Sequence, residues 1–250
     1  MESVILTIKN MYDYLEKLGP SKSIQLMRNL GYERVISLSS KIKKERLINL
    51  AKKLTDAKIL ELMNAIPETQ LVQIIEENSD EDLIYYIHSL SMEDLTKMST
   101  EVDPSDMRKL ADGLGKETSV ELLKNIGTEK CIGLIKYIGS ENLIKVIQDI
   151  KIENAIPLSS VLTLNQSKKW IKRRGLNEIP DLVKSLGAEN IIVFIESIGF
   201  EKSLDLIELL GFDKLVEMTY IIAKMNFPES IEKHKPKKHK KVHNRINSIS

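Results

Sequence analysis

Residues 187–210, GAENIIVFIESIGFEKSLDLIELL, state one twelve-residue pattern twice: glycine, a variable residue, glutamate, a polar residue, then an apolar helical face. The same register runs through most of the chain. Nine of the eleven glycines, at 19, 31, 115, 127, 139, 175, 187, 199 and 211, are separated by whole multiples of twelve. Thr55, Pro67, Ser79, Ser91 and Asp103, residue types that also start or stop helices, hold the phase between them, with Lys43, Lys151 and Thr163 as weaker members. From Gly19 to the unit that opens at Gly211 the register counts seventeen units.

With the glycine as position one, position eight is apolar in every unit, from Leu26 and Leu38 through Tyr86, Trp170 and Phe194 to Met218, and this position is expected to be core. Position twelve is apolar except at Asn78 and Arg174, and positions five and nine are mostly apolar or small. Positions five, eight, nine and twelve are spaced i, i+3, i+4, i+7, which is one face of an α-helix. Position three is acidic in most units (Glu33, Glu45, Glu81, Glu93, Glu117, Glu129, Glu141, Glu153, Glu189, Glu201, Asp213), where a carboxylate meets the positive end of the helix dipole and accepts from free N–H groups. Pro20, Pro67 and Pro104 sit at or beside the unit start, where a missing N–H costs nothing. The glycine is expected to close the preceding helix in the left-handed conformation. Each unit is then a helix of about nine residues, roughly 14 Å long, and a tight turn.

A helix so short is marginal in water and must bury its face against its neighbours. Repetition of such a unit predicts an all-α solenoid, a superhelix of about seventeen short-helix repeats with a continuous core. This Gly/Pro–acid–polar–apolar grammar, over about residues 11–225, resembles the cytosolic N-terminal superhelical domain of MgtE-type magnesium transporters and, more distantly, the short-helix repeats of the flagellar rotor protein FliG. The resemblance implies a right-handed short-helix superhelix. The chain shows no strand-rich nucleotide-sensor segment and no membrane helix, so the transport function does not carry over. In that family acidic clusters help to sense Mg²⁺, and no residue here matches closely enough to inherit the role.

Composition agrees with a helical core: of 250 residues 42% are hydrophobic and 29% charged, aromatics are only 5%, and Trp170 is the sole tryptophan, leaving Ile, Leu, Val and Met to fill the interior. One cysteine, Cys131, excludes an internal disulfide framework and a thiolate metal cage and fits a reducing compartment. With no basic-plus-apolar leader and no apolar run near the ~20 residues of a spanning helix, the chain reads as soluble and cytoplasmic.

Four regions are expected. Residues 1–150 form an N-terminal array, capped by a longer first helix over residues 3–18 that turns Ile5, Met11, Tyr14 and Leu15 inward. Residues 151–180 are degenerate repeats and a hinge, because Pro157 falls at position seven of its unit, where it removes a helical hydrogen bond at a cost of about 3 kcal/mol, and because the next unit carries Ser167, Lys168 and Arg174 at usually apolar places. A plain bend without function accounts for the same features. Residues 181–227 resume the array. Residues 228–250 are a basic tail without apolar periodicity, expected to be disordered.

The net charge of +1 conceals segregation. Residues 19–54 hold nine bases against Glu33 and Glu45, a net of +7, whereas residues 79–126 hold eleven acids against five bases, a net of −6. Blocks of this kind mark either solvated faces or the seats of oppositely charged partners. Lys41, Lys43, Lys44, Arg46, Lys52 and Lys53, with Lys168, Lys169, Lys172, Arg173 and Arg174, form the best candidate anion- or partner-binding surface, joined by Lys237, Lys238, Lys240 and Lys241 of the tail. Trp170, amid five cations, suits base stacking, but its place at position eight assigns it to the core. The tail reads either as an anchor to an anionic polymer or as a solubilising terminus; irregular spacing argues against a metal site at His234, His239 and His243.

Asp80, Glu81, Asp82, Glu93, Asp94, Asp103 and Asp106 have the chemistry for a divalent cation, yet helix capping accounts for them. His88 is expected half-exposed and Cys131 in the core. No glycine loop follows a strand, and no Ser/His/acid or Cys/His group assembles, so the expectation is a protein without catalytic residues, cofactor or metal. Three functions follow in order: a scaffold for a protein partner, a nucleic-acid-binding repeat protein using the basic blocks, and, by the resemblance alone, a soluble regulator of an ion-handling assembly.

Overall fold

A computed structural model describes residues 15–211 together with Tyr12, Lys214, Leu215 and Glu217. The expected first helix and the basic tail therefore fall largely or wholly outside the described residues. Within them run sixteen bounded helices: α1 (Pro20–Leu30), α2 (Tyr32–Lys41), α3 (Lys44–Lys53), α4 (Asp56–Ala65), α5 (Glu68–Glu77), α6 (Asp80–Ser89), α7 (Met92–Glu101), α8 (Pro104–Leu114), α9 (Lys116–Ile126), α10 (Thr128–Ile138), α11 (Ser140–Ile150), α12 (Ile152–Val161), α13 (Leu164–Arg174), α14 (Glu178–Leu186), α15 (Ala188–Ile198) and α16 (Phe200–Leu210). No strand occurs among the described residues. One helix per twelve-residue unit is what the register predicts.

Two kinds of turn keep that period. Where position one is glycine the helix runs on to position twelve, and a single residue with positive φ reverses the chain, as at Gly115 (φ 81°, ψ 151°). The expected left-handed conformation is corrected here. Its ψ would lie near +47°, whereas the turn glycines have ψ from 134° to 164° and occupy the extended positive-φ region that only glycine visits freely. Helical bonding persists across the turn, since Gly115 donates to the Ala111 carbonyl and accepts from Ser119 N–H. Where position one is not glycine, Lys151 apart, the helix stops at position eleven and two residues of negative φ replace one, as at Leu54 and Thr55. There the position-one side chain caps the next helix: Thr55, Ser79, Ser91 and Thr163 each accept from the backbone N–H three residues on. Position-one side chains, joined at Thr163 by Gln166 in a capping box, and not the expected position-three acids, thus provide the N-terminal side-chain caps seen among the described residues.

Each helix packs on the third one along, α1 on α4, α2 on α5, α3 on α6, α4 on α7, and so on to α12 on α15, and several also pack on the next. Contact with every third element is the pattern of an array coiled with three helices to the turn. One apolar core runs from Leu38 to Leu215. It passes through residues 151–180 without a break in packing, since α12 contacts α9, α11 and α15 while carrying Pro157 inside it.

Position eight is buried from Leu26 to Leu122 and again at Leu158, Trp170 and Leu182, but it is only half-buried at Leu134, Val146, Phe194 and Leu206. That corrects the expectation for α10, α11, α15 and α16. In those four, positions two, five and nine form the buried stripe, as Thr128, Cys131 and Ile135 do in α10. All four lie between two one-residue positive-φ turns, but so do α1 and α9, whose Leu26 and Leu122 are buried, so the kind of turn alone does not account for the shift.

Gly113 and Gly133 lie outside the register and serve the packing of helices one turn apart. A Cβ on Gly133 would lie 2.3 Å from Leu164 Cδ2, and one on Gly113 would lie 2.8 Å from Ile144 Cγ2. Both glycines are the floor on which the third helix along rests.

Candidate functional site

The charged candidates sit on this coil, and the coil pairs many of them. A position-seven base reaches a position-three acid 32 residues on at Lys97–Glu129 (2.7 Å), Lys109–Glu141 (3.2 Å) and Lys169–Glu201 (2.5 Å). A position-four base reaches position two one turn on at Lys22–Asp56 (3.6 Å) and Arg46–Asp80 (2.7 Å). Glu81, Glu129, Glu141 and Glu201 at position three are thus bound across turns. Glu129 is held below the usual carboxylate range by the Lys97 ammonium and Glu81 by that of Lys116, while the flanking carboxylates Glu129 and Glu93 push Lys97 up.

Position four also follows the kind of turn found one coil later. Lys22 donates to the Leu54 carbonyl at 3.0 Å, Arg46 to that of Asn78 at 2.5 Å, Arg34 to that of Met63, and Lys130 to those of Ser159 and Leu162. Each target lies at the C-terminal end of a helix that stops in a two-residue turn, where a cation suits both the free carbonyls and the dipole. Ahead of the glycine turns at 115, 127 and 139 the same place holds Asp82, Asp94 and Asp106, and Asp106 accepts from Ser140 at the next helix start (2.6 Å).

Of the candidate partner-binding cations, Lys41 pairs with Glu68, Arg46 with Asp80, Lys169 with Glu201, Arg173 with Asp205 and Glu208, and Arg174 with Glu178. Lys168 lies 5.7 Å from the Tyr137 ring centre. Lys44 is half-buried at the start of α3. Lys43 and Lys172 enter no ion pair among the described residues, and Lys237, Lys238, Lys240 and Lys241 lie outside those residues. The structure gathers Lys41, Lys43, Lys44 and Arg46 at the α2–α3 turn and the second block along α13. The acids proposed for a cation are spoken for locally: Asp80 by Arg46 and Asn49, Asp82 by Ser79, Asp94 by Ser91, Asp103 by Ser105. Among the described residues no three His, Cys, Asp or Glu side chains converge as a metal site would require.

Two open cavities lie among the described residues. One, of about 160 Å³, lies in the first turns between α1 and α8 and is walled almost wholly by aliphatic side chains such as Leu50, Leu62 and Ile74. The other, of about 100 Å³, lies under the degenerate repeats and is lined by residues from α9 to α15, including Leu134, Ala155, Leu158, Lys130 and Trp170. Trp170 is 4% exposed and packs on Phe200 with ring centres 6.2 Å apart, so the core assignment holds. Its indole N–H is buried with no acceptor in the structure. Half-burial pulls the Lys130 ammonium below the usual lysine range, and burial pushes the adjacent Cys131 thiol up to about 12. His88 is exposed, beyond the half-exposure expected.

Lys130 and the Trp170 indole are the polar groups the sequence reading missed as a pair, because 40 residues separate them and only the coil brings them to one cavity. Comparison with family models, with curated proteins and with solved structures finds no match in any of the three. No described helix is long and apolar enough to cross a membrane.

Proposed function

We propose that the chain is a non-enzymatic helical-repeat scaffold whose first turn docks a protein with an acidic surface. The observation that carries this reading is the concentration of exposed apolar side chains at that end: Tyr12 (67% exposed), Ile24 (59%) and Tyr32 (47%) are three of the six exposed large hydrophobics of the described residues. Ile24, the exposed Arg28 and Tyr32 follow one another at intervals of four residues, and Arg28 and Lys43 carry charges that no described acid neutralises. Exposed tyrosine and arginine around an aliphatic side chain are the residue types that dominate protein interfaces.

A protein is favoured over nucleic acid because five of the eleven described candidate cations are held by acids of the same chain, which lowers their capacity to release counterions from phosphates. The MgtE-like reading, a regulator of ion handling, rests on the twelve-residue grammar alone. A photo-crosslinker placed at Ile24 or Tyr32 in the native host tests the proposal. A discrete protein adduct, lost when Arg28 and Lys43 are both changed to Glu, is expected. Adducts only to nucleic acid, or a protein adduct indifferent to that charge reversal, would sink it.

A further inference from the structure

The cavity beneath α12 and α13 combines features that do not serve packing. Its walls are aliphatic, yet two of the residues that line it carry donors, Trp170, whose buried indole N–H has no acceptor, and Lys130. Lys130 has no carboxylate partner among the described residues; its contacts are the carbonyls of Ser159 and Leu162, and an ammonium has three donors. A buried donor left unpaired carries a desolvation cost that an incoming acceptor removes. A half-buried cation held by carbonyls alone, with no carboxylate beside it, favours a further acceptor that is negative.

We propose that this cavity is a binding site for a short aliphatic carboxylate, with the alkyl chain among Leu134, Ala155 and Leu158 and the carboxylate accepting from Lys130 Nζ and Trp170 Nε1. Size fixes the class further. A dry cavity of about 150 Å³ takes benzene, so one of about 100 Å³ takes roughly four or five heavy atoms beyond the mouth, the length of butanoate or pentanoate. The larger cavity near α1 lacks a charged wall and does not meet this description.

Trp170, the sole tryptophan, is the reporter. Titration of the full chain with acetate, butanoate, pentanoate and octanoate, alongside 1-butanol and butylammonium, is read by tryptophan emission and by thermal unfolding. Saturable responses are expected to peak at butanoate or pentanoate, to be at least about tenfold weaker for butanol, and to vanish for butylammonium. Lys130→Met is expected to abolish the preference for butanoate over butanol, and Ala155→Leu, which fills the cavity, to abolish both responses. Trp170→Phe, followed by thermal shift alone, is expected to weaken butanoate.

No saturable response to any chain length overturns the site and leaves an ordered water as the acceptor. Equal responses to butanoate and butanol in the unaltered chain overturn the assignment of the carboxylate, and need no variant to be seen. Either failure leaves the docking face on the first turn untouched, because that face is read by crosslinking at Ile24 and Tyr32.

Discussion

Replacing Lys151 by glycine is expected to stabilise the protein, although glycine costs most sites stability. Lys151 occupies the turn between α11 and α12 with φ 67° and ψ 151°, the conformation of the turn glycines, and is the one non-glycine residue with positive φ among those described. A side chain held there costs of order 1–3 kcal/mol. The extra chain entropy of glycine subtracts about 0.5–1 kcal/mol. Lys151 is exposed and enters no ion pair among the described residues, so little else changes and the net gain is about 0.5–2 kcal/mol.

Gly187→Ala is the mirror control. An added Cβ there meets no atom within 4 Å, so its loss of about 1–3 kcal/mol comes from the backbone alone. Urea unfolding followed by circular dichroism measures both, with m-values compared to ensure that the same surface unfolds. A chain of this size shifts its Tm by roughly 2–4 °C per kcal/mol. If Lys151→Gly lowers stability, the positive φ at residue 151, and with it the equivalence of this turn to the glycine turns, is wrong.

Other outcomes follow from the contacts. Gly133→Ala is expected to cost about 1–3 kcal/mol through the clash with Leu164, despite the ~1 kcal/mol that alanine offers a helix; Leu164→Ala introduced with it, in a double-mutant cycle of urea unfolding, is expected to recover part of the loss. Arg46→Met, which leaves the Asn78 carbonyl and Asp80 without their cation, is expected to cost about 1–3 kcal/mol in the same assay, whereas Lys97→Met, in solvent-screened pairs, is expected to change stability much less. Glu68, Glu81, Glu129 and Glu208 have lowered pKa values in the fold because hydrogen-bonded cations favour their charged forms, so their contribution is fully present above the unfolded value of about 4.3 and is lost as pH falls through the lower folded values. Urea midpoints are therefore expected to hold from pH 7 to about 5 and to fall below about 4.5, with a smaller fall in high salt. Cys131, 1% exposed and with its thiol pushed up to about 12, is expected to react with a thiol reagent no faster than the chain opens.

What the sequence made legible was whatever repeats within one unit. The glycine register, the capping hydroxyls and the burial of Trp170 and Cys131 all follow from a single helix and its two ends. What it hid depends on the number of helices per turn of the coil, which no single unit specifies. Lys97 and Glu129, Lys109 and Glu141, and Lys169 and Glu201 share one offset of 32 residues, but that offset has meaning only once every third helix is known to touch. The segregated charge fits either a solvated face or the seat of a partner; Arg46 and Lys41 show a third use, since the chain itself supplies opposite charge to them. Position eight failed at Leu134 and Val146 because the buried stripe there runs through positions two, five and nine, and which face meets a neighbouring helix is not specified by helical periodicity alone. Gly113 and Gly133 were unread for the same reason as the ion pairs, since their role is written 31 residues away in Ile144 and Leu164.

The packing of each helix on its third neighbour is tested most directly by a cysteine pair at Gly113 and Ile144 in a Cys131→Ala background. A Cβ at residue 113 lies 2.8 and 3.3 Å from the two γ-carbons of Ile144, close to the roughly 3 Å that a Cβ keeps from its partner's sulphur across a disulfide. Mild oxidation of the folded monomer is expected to consume both thiols in one intramolecular bond, with a gel shift that reduction reverses. Two free thiols after oxidation, or a bond that forms only between molecules, would contradict the array.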